Sequence, residues 1–165
     1  MYFIIFISLF ILQRLSELYI AKKNEKWLLQ QGAIEYGQSH YPFIVALHTL
    51  FIVSLITEYI LRGGPLISWL FLGIFIVILS FKFWALSSLG KYWNTKIYRI
   101  PGVYPVKKGP YKFLKHPNYI EVVCEIAIIP LVFHLYYTAI IFTILNAAIL
   151  GVRIRVENKV WHVRD

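Results

Sequence analysis

Cysteine is almost missing. Cys124 is the single thiol in 165 residues, so no internal disulfide can close and no cysteine-based metal site can form. Set in an apolar stretch, it reads as a small buried hydrophobe. Charge is scarce too: 15% of residues are charged and 59% are hydrophobic, where a soluble domain carries about 25% charged residues. A body of this size cannot hide so much apolar surface from water, which excludes an ordinary soluble domain. Acid is scarcer than base, with 8 Asp+Glu against 17 Lys+Arg and a net charge of +9. That balance leaves a membrane protein or a nucleic-acid binder. There is no repeat, no low-complexity linker and no sign of a second domain, so residues 1–165 read as one membrane-embedded domain.

Apolar runs decide between the two classes. Residues 1–12 lack the basic start and small-residue cleavage site of a signal peptide, so residues 1–21 are expected to form a first transmembrane helix ending at Lys22-Lys23. Residues 42–61 form a second run, closed by Arg62-Gly63-Gly64-Pro65, and residues 66–86 a third. Each has the roughly 20 residues needed to cross a bilayer core of about 30 Å. The last run, residues 119–152, is too long for one upright helix. Pro130 and His134-Leu135-Tyr136-Tyr137 interrupt it, so the expectation is a helical hairpin, residues 119–133 and 137–157, with a cytosolic amphipathic tail over 153–165.

Basic residues give the orientation. Five helices with the N-terminus outside and the C-terminus inside gather Lys22, Lys23 and Lys26, the lysines and arginines of residues 91–115, and those of the tail on the inner side. The outer side keeps only Arg62, as the positive-inside rule asks. The expected architecture is therefore an all-α integral membrane protein whose basic residues meet anionic headgroups. Nucleic acid is not required to explain them.

Polar groups inside spans are expensive and point to function. Arg14 and Glu17, three residues apart, are expected to pair as a structural lock. Lys82 is expected to snorkel, Glu58 to lie at the headgroups, and His48 to be a hydrogen-bonded core residue. No second histidine has helical spacing with His48, so no metal site is expected. The start of the fourth helix says more. Asn118, Glu121 and Glu125 follow i, i+3, i+7 and line one face, while Asn146, Arg153 and Glu157 make a matching stripe on the fifth. Two carboxylates one turn apart need a cation nearby, with Lys82, Arg153 or a ligand as candidates. Two polar stripes on a hairpin make either a polar helix contact or, the favoured reading, a ligand cleft.

The loop feeding that cleft reads Gly109-Pro110-Tyr111-Lys112-Phe113-Leu114-Lys115-His116-Pro117-Asn118-Tyr119. Pro117 disfavours helix at His116 and permits a helix start just after it. His116 thus stands at a helix N-terminus, where free backbone N–H groups favour an anion, and Lys115 adds positive charge. An anion-binding end opposite a carboxylate-lined end suits a zwitterionic small molecule.

Gly109-Pro110-Tyr111 followed by Lys115-His116-Pro117-Asn118-Tyr119 resembles the Gly-x-Tyr…Arg-His-Pro-x-Tyr signature of the isoprenylcysteine carboxyl methyltransferase family. Arg153-Ile154-Arg155-Val156-Glu157-Asn158 resembles that family's C-terminal Arg-Ile…Glu-Glu motif. Residues 13–18, 32–35 and His40-Tyr41-Pro42 with His48 look like its bacterial branch, whose members include alkylpyrone O-methyltransferases. Lys115 replaces the usual Arg, and Asn158 a common second Glu.

The resemblance implies methyl transfer from S-adenosylmethionine to a carboxylate or acidic enol oxygen of a lipophilic acceptor, such as a long-chain alkylpyrone or a prenyl-type molecule. It implies cofactor contacts from Tyr111, Lys115, His116, Pro117, Tyr119, Glu121, Glu125, Glu157 and Asn158, with Arg153 and Glu157 in catalytic positions. It further implies a bacterial cytoplasmic membrane and a site open to the cytosol. An NADPH-dependent membrane reductase and a non-catalytic membrane subunit are the alternatives.

Overall fold

The structure, a computed structural model, describes residues 1–162. Its first helix, α1 (Tyr2–Gln30), runs well past the lysine pair expected to end it. Ala21, Asn24 and Leu28 recur at i, i+3, i+7 and are buried, while the lysines between them point outward. The apolar face therefore continues, and nothing breaks the helix until Gly32 at φ 78°. At roughly 1.5 Å per residue α1 is about 43 Å long.

Strand β1 (Ile34–Tyr36) leads into α2 (Tyr41–Leu61), which has Pro42 in its first turn. Gly63 and Gly64 take left-handed φ values of 71° and 73°. The extended stretch after them lets the Ser68 N–H donate to the Val132 carbonyl at 2.8 Å. Helix α3 (Trp69–Leu89) consequently begins three residues later than expected. A 3-10 turn, Gly90–Tyr92, then leads to strand β2 (Ile97–Arg99), which pairs antiparallel with β1 as Ile34↔Arg99, Glu35↔Tyr98 and Tyr36↔Ile97. This ribbon is absent from the sequence expectation, because three residues are too few to display alternation.

A second 3-10 turn, Gly109–Lys112, precedes α4 (Pro117–Leu131). The expected hairpin is present. Its turn closes with Leu135 N–H on the Pro130 carbonyl at 2.9 Å and His134 N–H on the Leu131 carbonyl at 3.1 Å, His134 taking φ 55°. That is a Schellman helix end with histidine where glycine is usual. Helix α5 (Tyr136–His162) absorbs the expected tail in one rod; residues 163–165 of that tail lie outside the described residues.

Glu58 lies in the last turn of α2, beside the start of α5. It is buried, and its carboxylate accepts the N–H groups of Tyr137 at 3.2 Å and Thr138 at 2.7 Å. The free N–H groups of the α5 N-terminus attract the carboxylate.

Among the described residues, α1, α2, the Trp69–Tyr92 segment and α5 are long and apolar enough to cross a membrane. Helix α4, with 15 residues, spans about 22 Å and is shorter. It packs on α3 and α5, and α2 packs on α5. The core lies towards the hairpin turn, where Phe3 stacks on Tyr59 at 3.7 Å and meets Phe133 edge-on at 5.1 Å. Leu50, Val53, Leu70 and Val77 are exposed on the outer faces of α2 and α3, as lipid contact requires. The polar loops collect at the opposite end, over the site.

Candidate active site

The loop before α4 is held by close packing. Gly109 sits at φ +51°, and a Cβ there would stand 2.0 Å from Ser88 Oγ and 3.1 Å from Trp84 Nε1, so only glycine lets the loop lie on α3. Pro117 opens α4, leaving His116 at its N-cap with no side-chain cap bond. The imidazole stacks on the Tyr119 ring, with centroids 5.1 Å apart and planes 19° apart.

Tyr119 joins α4 to α5. Its hydroxyl donates to Glu157 Oε2 and accepts from Arg153 Nε at 2.9 Å. Arg153 Nη2 donates to the Thr95 carbonyl at 2.7 Å, and His116 Nδ1 lies 3.7 Å from Glu157 Oε2. The α5 stripe is thus met by Tyr119 and His116, which stand outside the Asn118-Glu121-Glu125 stripe of α4.

Deeper lies a buried ion cluster. Lys82 is 2% exposed, so it does not snorkel. Its ammonium reaches Glu17 Oε1 at 2.6 Å and donates to Glu125 Oε1 and Oε2 at 3.1 and 3.2 Å, with Glu121 Oε1 at 3.5 Å. Arg14 pairs with Glu17 at 2.8 Å, as expected, and also with Glu125. A charge that cannot reach water must be met by opposite charge, and here the cluster ties α1 and α3 to α4.

Between the Tyr119 bridge and this cluster is a cavity of about 290 Å³. Tyr111, His116, Tyr119, Glu121, Arg153 and Glu157 line it, with Asn118 and Asn146 beside them. Residues 93–106 roof it. That roof hangs on the extension of α1: Asn24 Nδ2 donates to the carbonyls of Gly90 at 3.2 Å and Trp93 at 2.7 Å, and Asn94 Nδ2 donates to Ala21 O at 2.8 Å. Of the other expected site residues, Lys115 is exposed and Pro117 is buried beneath the loop. Glu125 lies under the cavity floor in the ion cluster, and Asn158 is half-buried; none of these four lines the cavity.

Sequence reasoning missed Arg14, Glu17 and Lys82 as cavity wall, and Thr95 as the clamp on Arg153. The signal for the first three was available, since charges within apolar spans rarely serve packing alone.

Besides Arg14 Nε in the ion cluster, five buried polar atoms of the cavity residues have no hydrogen-bond partner: Tyr111 Oη, His116 Nε2, Asn118 Oδ1, Glu121 Oε1 and Asn146 Nδ2. Such atoms are costly when left unmet, so their convergence marks a ligand's place. Burial, reinforced by the Glu157 carboxylate, raises the Tyr111 phenol above its ordinary value and keeps it protonated.

The profile of the isoprenylcysteine carboxyl methyltransferase family matches residues 69–162. The chain belongs to that family. Family members are membrane methyltransferases that use S-adenosylmethionine as methyl donor. The matched residues contain α3, the roof, the His116 loop and the α4–α5 hairpin, and so the greater part of the cavity wall. Two relatives extend the likeness over nearly the whole chain. The uncharacterized protein YpbQ of Bacillus subtilis (strain 168) is 52% identical over 160 residues, covering 95% of each chain. An uncharacterized protein of Haemophilus influenzae (strain ATCC 51907 / DSM 11121 / KW20 / Rd) is 29% identical over 149 residues, covering 88% of this chain and 87% of its own. No solved structure matches the chain significantly.

Proposed function

We propose that this protein transfers a methyl group from S-adenosylmethionine to an oxygen of a lipophilic small molecule, at a site open to the cytosolic face of a bacterial membrane. The observation carrying this reading is the convergence of five unmet buried polar atoms on one cavity between the His116 loop and the α4–α5 hairpin. Their chemistry suits the donor. Asn146 Nδ2 offers a donor, Asn118 Oδ1 and Glu121 Oε1 offer acceptors, and Tyr111 Oη and His116 Nε2 can complete either kind of bond. A zwitterion with amino, carboxylate and ribose hydroxyl groups needs that mixture. The cavity, about 290 Å³, sits just below the usual range of about 300–1,000 Å³ for ligand sites, which disfavours a dinucleotide.

His116, Pro117 and Tyr119 would frame the cofactor, with Glu157 towards its hydroxyl or amino groups. Lys115, Glu125 and Asn158 would act from further out, through field and loop shape. When bound, the cofactor supplies an electrophilic methyl group. Arg153, fixed by Tyr119 and Thr95, would orient an anionic acceptor oxygen. A carboxylate or acidic enol is largely ionised near neutral pH, so positioning carries most of the rate. The acceptor's apolar tail would lie among the lipid-facing helices. A long-chain alkylpyrone and a prenyl-type acid are the acceptor classes of this reading. The topology belonging to it has five passes, with α4 as the short one, the N-terminus outside and the C-terminus inside.

Binding of S-adenosylmethionine to the detergent-purified protein tests the proposal, with NADPH and His116→Ala as controls. The expected result is selective binding of S-adenosylmethionine, weakened at least about tenfold in the variant, the worth of one or two buried hydrogen bonds. Selective NADPH binding, or undiminished affinity in a folded His116→Ala protein, would overturn it.

A further inference from the structure

Glu121 brings to the cavity a carboxyl group that its neighbours do not satisfy. The inner cluster sets Arg14 and Lys82 against Glu17, Glu121 and Glu125, two cations for three carboxyl groups, so that one carboxyl must hold a proton until a third cation arrives. An ammonium has three donors. Those of Lys82 serve Glu17 Oε1 and both oxygens of Glu125, leaving Glu121 Oε1 at 3.5 Å without a hydrogen bond. Glu121 is 3% exposed and lines the cavity.

The other charges around the cavity are met. Arg153 is joined through Tyr119 to Glu157. Lys96 is met by Glu25 at 2.8 Å and Glu35 at 3.4 Å. His48, the imidazole contributed by α2, is tied to the Ile44 carbonyl at 2.8 Å.

From this imbalance, and resting on the cofactor reading above, we infer that the Glu121 carboxylate is the counter-charge for the cationic donor and separates it from its demethylated product. The sulfonium of S-adenosylmethionine brings the one positive charge the cluster lacks. The product is a neutral thioether and leaves Glu121 unmet again. A buried carboxyl without a cation takes up a proton rather than stay ionised, so Glu121 offers a charge to the donor and only a neutral acid to the product. Asn118 and Asn146 are neutral and make no such distinction.

The test is a binding titration, without acceptor, on the full-length protein in detergent. The probes are S-adenosylmethionine, S-adenosylhomocysteine, and an amine analogue carrying a protonated nitrogen in place of the sulfonium. In the native chain both cations should bind at least about tenfold more tightly than the thioether, as one unscreened partner charge allows. In Glu121→Gln, shown to be folded by its thermal transition, the ratio should shrink to within about twofold through weaker cation binding alone. An unchanged ratio in the folded variant overturns the inference. So does equal binding of all three ligands by the native chain, which decides the matter even if the variant does not fold. Failure of the native chain to bind any of them overturns the cofactor reading, and this inference with it; binding without discrimination overturns the inference alone.

Discussion

Glu121 and Glu125 stand one turn apart on α4 and carry the same group, yet their loss should differ sharply. Glu125 is fully buried and meets Arg14, Lys82 and the Gln13 amide, the last at 3.4 Å. Glu125→Ala takes away a carboxylate that both Arg14 and Lys82 contact and leaves a void in its place, an expected loss of about 3–5 kcal/mol. Glu121→Gln removes the surplus carboxylate and keeps the shape, so its cost should stay within about 1 kcal/mol. Thermal transitions of the two variants in one detergent check this; equal destabilisation would mean that Glu121 holds the cluster together as much as Glu125 does. At this scale the sequence was legible where spacing decides. Arg14 pairs with Glu17 because a helix places i and i+3 together. For Lys82 the sequence left two readings open, snorkelling or pairing with the α4 carboxylates, and the second holds; nothing local could choose between them, because the partners come from two other helices.

The β1–β2 ribbon depends on one polar cluster. Lys96 and Tyr98 both reach Glu25 and Glu35, with Tyr98 Oη donating at 2.6 and 3.0 Å. The hydrogen bond to Glu25 raises the Lys96 ammonium above its ordinary value, and burial followed by the bonds to Glu25 and Glu35 raises the Tyr98 phenol. Both groups hold their protons more tightly folded than unfolded. Their contribution is therefore complete below the ordinary lysine and tyrosine range, about pH 10, and is lost as pH climbs towards the raised folded values. Protease cleavage within residues 93–106 should rise steeply above about pH 10, and less steeply in Tyr98→Phe. Cleavage that stayed unchanged across that range would contradict the cluster's role; on acidification the roof should loosen as well, because the bonds from Lys96 and Tyr98 hold the Glu25 carboxyl below its ordinary value. The large elements were readable from apolar run length, but the ribbon was not, since its three-residue strands are made by pairing between segments far apart in the chain.

For the whole molecule, the outcome to measure is sidedness. Positions 63 and 107 lie in loops at opposite ends of the helix set, one beside the hairpin turn and the other in the stretch leading to the His116 loop. With Cys124 replaced by Ala, single cysteines at those positions should label from opposite sides with a membrane-impermeant thiol reagent. Position 107 should react only from the cytosolic side, as the basic loops require. Labelling of both from one side would exclude the five-pass arrangement.

The sequence by itself determined that the chain enters a membrane, where its long helices run, that the last apolar stretch folds back on itself, and which faces of α4 and α5 are polar. These follow from run length, helical period and proline placement, all local properties. Only the tertiary structure decided that α1 continues to hold a roof over the cavity, that Glu58 caps α5, and that Arg14, Glu17 and Lys82 close the cavity floor. Each of these joins groups between about 60 and 110 residues apart in the chain, brought together by the packing of α1, α2 and α3 around the hairpin. In a low-dielectric interior a polar group must find its partner wherever the fold places it, and that place is not written in any local pattern.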